Sequence, residues 1–119
     1  MIKFKSLNQS KEFLKIIKEK RINTKYFTIY FDKNLTNFNK YLNISFVMKK
    51  NIGNAVTRNK IKRKLIYAVQ MILRENKLID LNYTYVIFGK NNVYKDKFAD
   101  VLDEVNETFK KIKKIENHI

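Results

Sequence analysis

Cysteine is absent from the 119 residues. That excludes a disulfide framework, a thiolate nucleophile and a zinc finger. The single histidine, His118, stands next to the end. A Ser-His-Asp relay is implausible with that one imidazole, and no His, Asp or Glu cluster has metal-ligand spacing. Glycine occurs twice, at Gly53 and Gly89, too isolated for a glycine-rich phosphate loop. No apolar run approaches the roughly 18 residues of a spanning helix. The opening MIKFKSLNQS lacks a continuous apolar core before a small-residue cleavage site, so no signal peptide is expected. Acid is scarce too: 11 Asp and Glu stand against 26 Lys and Arg, a net charge of +15.

What is present is enough to fold. Hydrophobic residues make up 45% and aromatics 13%, above what a disordered chain carries. The length suits one domain, 1–119, with a single modest core. The charge imbalance costs self-repulsion and points to a polyanionic partner. Nucleic acid fits better than a membrane, because no basic helix has the wide Trp/Phe/Leu face of a surface-lying one. A cytoplasmic protein is the plain expectation.

The basic charge concentrates at Lys49 to Lys64, KKNIGNAVTRNKIKRK, with seven cations and no acid. Helical periodicity runs from Ala55 or Thr57 to about Asn76. Ile61, Leu65, Ala68, Val69 and Ile72 form one apolar stripe. Asn59, Lys60, Arg63, Tyr67, Gln70 and Arg74 lie opposite, with Arg58 and Lys62 near the stripe's edge. Cations at a helix N-terminus oppose its dipole by about 0.3–1 kcal/mol each. A stretch built for stability alone would place Asp or Glu there, so an external anion is expected to complete the surface.

Elsewhere the pattern predicts a basic extended arm over 1–8 and a helix over about 9–20, then a polar link at 21–25. Strands follow at Tyr26–Phe31 and Tyr41–Met48, the latter with a bulge at Val47–Met48, then at Tyr83–Phe88. A further short strand is considered near Leu35–Phe38. An amphipathic helix spans about 94–114, starting from Tyr94, with Asp96, Asp100, Asp103, Glu104 and Glu107 on a solvated side. The order α-β-β-(β)-α-β-α makes an α+β fold, a two-layer α/β sandwich.

The segment AVTRNKIKRK, Ala55 to Lys64, strongly resembles the signature of the bacterial ribonuclease P protein component. That family carries Arg-Asn-Arg-(apolar)-Lys-Arg on its long basic helix, which stands here as Arg58, Asn59, Lys60, Ile61, Lys62 and Arg63. Lys60 keeps the charge of the third place and loses its bidentate fork. Lys49–Lys50, the Gly53-Asn54-Ala55 turn, Leu7 with Phe13, Tyr30, and Phe88-Gly89-Lys90 are also similar to the family pattern. Ile17 departs from it, since a second aromatic is common there.

The resemblance implies a small cofactor of a catalytic RNA. Together they form an endoribonuclease that removes the 5′ leader of precursor tRNA, with Mg²⁺ held mainly by the RNA. It implies docking on that RNA through Arg58, Asn59, Lys60, Lys62, Arg63 and Lys64. It implies a cleft between the first helix and the sheet for the single-stranded leader, served by Phe13, Ile17, Tyr30, Lys49, Lys50 and Lys90. It also implies a left-handed βαβ crossover, against the general rule. No catalytic residue is assigned to the protein. The rival readings are a ribosomal or general RNA-binding protein without a processing role, and a stand-alone metal nuclease. The latter is disfavoured because no carboxylates converge near the basic stretch.

Overall fold

The computed structural model describes residues 3–6, 15–16, 20–33, 41–75 and 79–117. Most of the helix expected over 9–20, and the strand considered near 35–38, lie outside them. Lys15 and Ile16 are helical, with Ile16 buried, and Lys20 already belongs to a strand.

The strands are β1 (Lys3–Lys5), β2 (Lys20–Asn23), β3 (Phe27–Lys33), β4 (Tyr41–Val47) and β5 (Tyr83–Gly89). The helices are α1 (Ala55–Glu75), α2 (Asn92–Lys95, one turn) and α3 (Phe98–Asn117), with a 3-10 turn at Lys50–Ile52. One five-stranded sheet forms in the order β1-β4-β5-β3-β2. β4 pairs in parallel with both β1 and β5, and β3 pairs antiparallel with β5 and β2. Parallel neighbours need a crossover, and α1 supplies it between β4 and β5.

Alternation decides which face each strand offers the helices. Phe27, Ile29 and Phe31 of β3 and Leu42 and Ile44 of β4 are buried in one cluster. The same cluster takes Tyr85 and Ile87 of β5, the α1 stripe, and Val101, Val105, Phe109 and Ile112 of α3. Tyr85 meets Phe109 edge-on at 5.3 Å between ring centroids. Central β5 is buried on both faces over Thr84–Ile87. This is the α+β sandwich expected, with α1 and α3 on one face of a mixed sheet.

Four local expectations are corrected. The polar link at 21–25 begins instead as β2, which pairs with β3 in the register Lys20↔Phe31 to Asn23↔Thr28. As an edge strand, with Ile22 alone packed against the core, it lacks an apolar pattern. The bulge at Val47–Met48 does not form; β4 keeps register with β5 up to Val47↔Phe88 and stops. The last helix is broken, because Asp96 is extended (φ −93°, ψ 166°) between α2 and α3. Val93 rather than Tyr94 therefore enters the core, and Tyr94 stays exposed. Tyr26 joins the core instead of sharing a face with Thr28 and Tyr30.

α1 comes close to the sheet at Gly89. A Cβ there would lie 2.6 Å from Met48 Sδ and 3.0 Å from Ile61 Cγ2. Gly89→Val should therefore lower unfolding free energy by about 1–3 kcal/mol through overpacking. Adding Met48→Ala should return part of that loss. Urea denaturation of the two single variants and the double variant measures the coupling, and purely additive effects would contradict the close approach.

Candidate nucleic-acid interface

The entry to α1 is set by two adjacent residues. Gly53 has φ 153° and ψ −167°, a region essentially restricted to glycine. Asn54 then caps the helix: its Oδ1 accepts the Thr57 N–H at 2.9 Å, and its carbonyl accepts the Arg58 N–H at 3.0 Å. No acid occupies the first turn.

From that start the helix deals its cations to different surroundings. Asn59, Lys60, Lys62 and Arg63 are exposed, and Arg58 is half-buried. Among the described residues, none of Arg58, Lys60, Lys62 or Arg63 forms an ion pair; the pairs present are Lys25–Asp96 and Lys110–Glu107. Lys60 Nζ lies 5.7 Å from the centre of the Tyr94 ring. Exposed Tyr67 packs edge-on against Phe98 of α3 at 5.4 Å. Lys64 stands apart. Its ammonium donates to the Val93 and Asp96 carbonyls, both at 2.9 Å. Two of its three donors are thus committed to the α2 segment.

The sheet face turned away from α1 and α3 carries a second group. Tyr30 is half-buried there and meets Phe88 edge-on at 5.5 Å. The register explains the meeting: Tyr30 is opposite Val86, so Phe88 is its diagonal neighbour on the same face. Lys49 follows β4 just past Val47, which pairs with Phe88, and its Nζ sits 5.7 Å from the Phe88 ring centre. Lys50 is exposed at the start of the 3-10 turn. Phe13 and Ile17 lie outside the described residues. Phe88 was missed from the sequence, although alternation along β5 already sets it opposite Tyr85.

Lys90 also differs from its expected setting. Its Nζ donates to Asn23 Oδ1 and the Thr24 carbonyl, both at 2.6 Å, so it ties the end of β5 to the β2–β3 turn. Beside it lies a knot that the sequence did not reveal. The Tyr26 hydroxyl donates to Asp96 Oδ2 at 2.6 Å, and Lys25 pairs with the same oxygen at 3.1 Å. The Tyr26 hydroxyl is pushed up to about 12, first by its bond to Asp96, then by burial and the carboxylate charge. Asp96 is held below the usual carboxylate range, first by the Tyr26 bond and then by Lys25. Asp96, expected on a solvated helix side, is instead the clasp between the β2–β3 turn and α2.

Among the described residues, no three His, Cys, Asp or Glu side chains are grouped to hold a metal ion. No described helix is long and apolar enough to cross a membrane.

Residues 1–113 match the family model described as Ribonuclease P. The chain is 31% identical over 104 residues to the ribonuclease P protein component of Mesoplasma florum, covering 87% of this chain and 90% of that one. To the same component of Mycoplasma mycoides it is 34% identical over 105 residues, covering 86% and 90%. Its fold is similar to the RNase P protein from Thermotoga maritima, with a TM-score of 0.68 at 24% identity over 90% of this chain and 96% of that one.

The knot predicts a two-sided pH response. Because folding raises Tyr26 from 10.0 to about 12, its contribution to stability is full below pH 10 and is lost as pH rises through about 12. Folding lowers Asp96, so its contribution is present above the ordinary carboxylate range and is lost as pH falls through the depressed value. Tyr26→Phe should remove the alkaline step from a plot of denaturation midpoint against pH. An alkaline limb identical to that of the parent protein would exclude the Tyr26–Asp96 bond as its source.

Proposed function

The chain belongs to the ribonuclease P protein family, and on that footing we propose that it binds the catalytic RNA and the 5′ leader of precursor tRNA, assisting removal of that leader. The carrying observation is the surface of α1. Arg58, Lys60, Lys62 and Arg63 flank Asn59 without a described carboxylate partner. Arg58 and Arg63 offer planar forks to phosphate oxygens, and Lys60 and Lys62 offer mobile point charges. Asn59 offers an amide to a sugar, a base edge or a phosphate. Lys64, with one donor left over, chiefly braces the helix flank.

The leader is assigned to the other sheet face. Tyr30 and Phe88 give it an aromatic surface on which bases stack without regard to sequence. Lys49 and Lys50 supply charge for its phosphates, with Phe13 and Ile17 of the preceding segment as further contacts. Lys90 serves this face by holding the β2–β3 turn in place rather than by a free ammonium. When bound, Mg²⁺ supplies the metal chemistry of phosphodiester hydrolysis from the RNA subunit. The described protein residues offer no cluster for it. The protein's part is to position the leader and to offset phosphate repulsion, so that the folded RNA engages its substrate at lower Mg²⁺. Such a complex works in the cytoplasm.

Reconstitution with the catalytic RNA at low Mg²⁺ should raise precursor-tRNA cleavage, and no gain would refute the assignment. Arg63→Ala should weaken RNA-subunit binding. It should also reduce the slope of log K against log salt by about 0.9 for a duplex contact, or about 0.7 for a single-stranded one. Lys64→Ala should lower thermal stability more than it changes that slope. Equal slope losses for the two variants would return Lys64 to the RNA-facing set.

A further inference from the structure

Lys62 and Arg63 are neighbours in sequence, but a helix turns 100° per residue. Arg63 faces outward, whereas Lys62 stands at the rim of a groove on the opposite flank from Tyr94 and α2. The groove exists because β1 is short. β1 pairs with β4 only as far as Lys5↔Asn43. Beyond that point Ile44–Val47 borders a cavity of about 440 Å³. Phe4 and Phe46 form its aromatic wall, stacked with centroids 6.1 Å apart and planes 26° from parallel. Ile66 of α1 adds an apolar side, and Ser6 and Ser45 add polar ones. Among the described residues, no carboxylate lines it.

We propose that this groove takes one unpaired nucleotide of an RNA, its base against Phe4 and Phe46 and its phosphate on Lys62. The chemistry is that of a planar, polarisable group joined to an anion. Aromatic walls suit the first, and an exposed ammonium with no ion-pair partner among the described residues suits the second. The volume lies within the range of small-ligand sites. The alternative occupant, a peptide strand added along the border of β4, has less to recommend it. β1, which runs along its border, carries Lys3 and Lys5, both positive and both exposed. The groove is separate from the leader surface: Phe46 shares the helix-side face with Ile44, while Phe88 and Tyr30 are on the other face.

This inference rests on the RNA-binding reading but fails separately from it. The full chain is irradiated with a single-stranded RNA oligonucleotide carrying 5-iodouridine, and the cross-linked peptides are mapped. RNA-subunit affinity is titrated in parallel. Cross-links should fall on Phe4 or Phe46, and Lys62→Gln should cut their yield several-fold. Phe46→Leu should weaken RNA-subunit binding roughly tenfold with the salt slope unchanged. Phe4→Leu, at the sheet border, should do the same and guards against a folding defect at Phe46. Intact RNA-subunit affinity with cross-links confined to Tyr30 and Phe88 overturns the groove proposal and leaves the general function standing. No RNA-subunit binding by the parent protein overturns both. Amide protection of residues 44–47 that grows with protein concentration and not with RNA assigns the border to a second copy and also overturns it.

Discussion

Burial of one stripe of α1 against the sheet is what allows the remaining surface to exist. Seven cations in sixteen residues repel one another, and those in the first turns also oppose the helix dipole by about 0.3–1 kcal/mol each. Ile61, Leu65, Val69 and Ile72 are almost wholly removed from water. Each such side chain contributes about 1.5–3 kcal/mol. Burial outweighs repulsion, so the helix stays formed and its polar sides remain available. The cap at Asn54 and the glycine-only geometry at Gly53 fix where it starts.

A second set of ties holds the flank of that helix. Lys64 binds two carbonyls of the α2 segment, Asp96 binds Tyr26 and Lys25, and Lys90 binds the β2–β3 turn. These three contacts join α1, the α2–α3 break and one end of the sheet. They use two residues, Lys64 and Lys90, that composition alone would assign to an external anion. A basic protein still needs some of its cations internally, and backbone carbonyls suit that use because they bring no opposing charge that would cancel the outward field.

The legible parts of the sequence were those with long or strict periodicity. The α1 stripe, the alternation in β3, β4 and β5, and the spacing Val101–Val105–Phe109–Ile112 each repeat often enough to be unambiguous. β2 was not legible, because an exposed border strand such as Lys20–Asn23 carries one inward residue and no pattern. The choice between Val93 and Tyr94 could not be read either; both are apolar, and the break at Asp96 is set by a partner 70 residues away. That Arg58, Asn59, Lys60, Lys62 and Arg63 stay out of the core was readable from their spacing. The inward turn of Lys64 depends on where α2 lies, and no local signal reports it. Phe88 is a middle case, recoverable once β3 and β5 are paired.

The crossover from β4 through α1 to β5 has a consequence for the speed of assembly. α1 lies between two adjacent strands of the sheet, seven residues of chain from each, and its apolar stripe is buried against them. Its backbone is therefore anchored twice before any partner arrives, and an encounter leaves mainly side chains to immobilise. Preorganisation of this kind reduces the entropy lost on association. Productive collisions should then be governed by long-range attraction and orientation, and the strength of individual contacts should be felt chiefly in the lifetime of the complex.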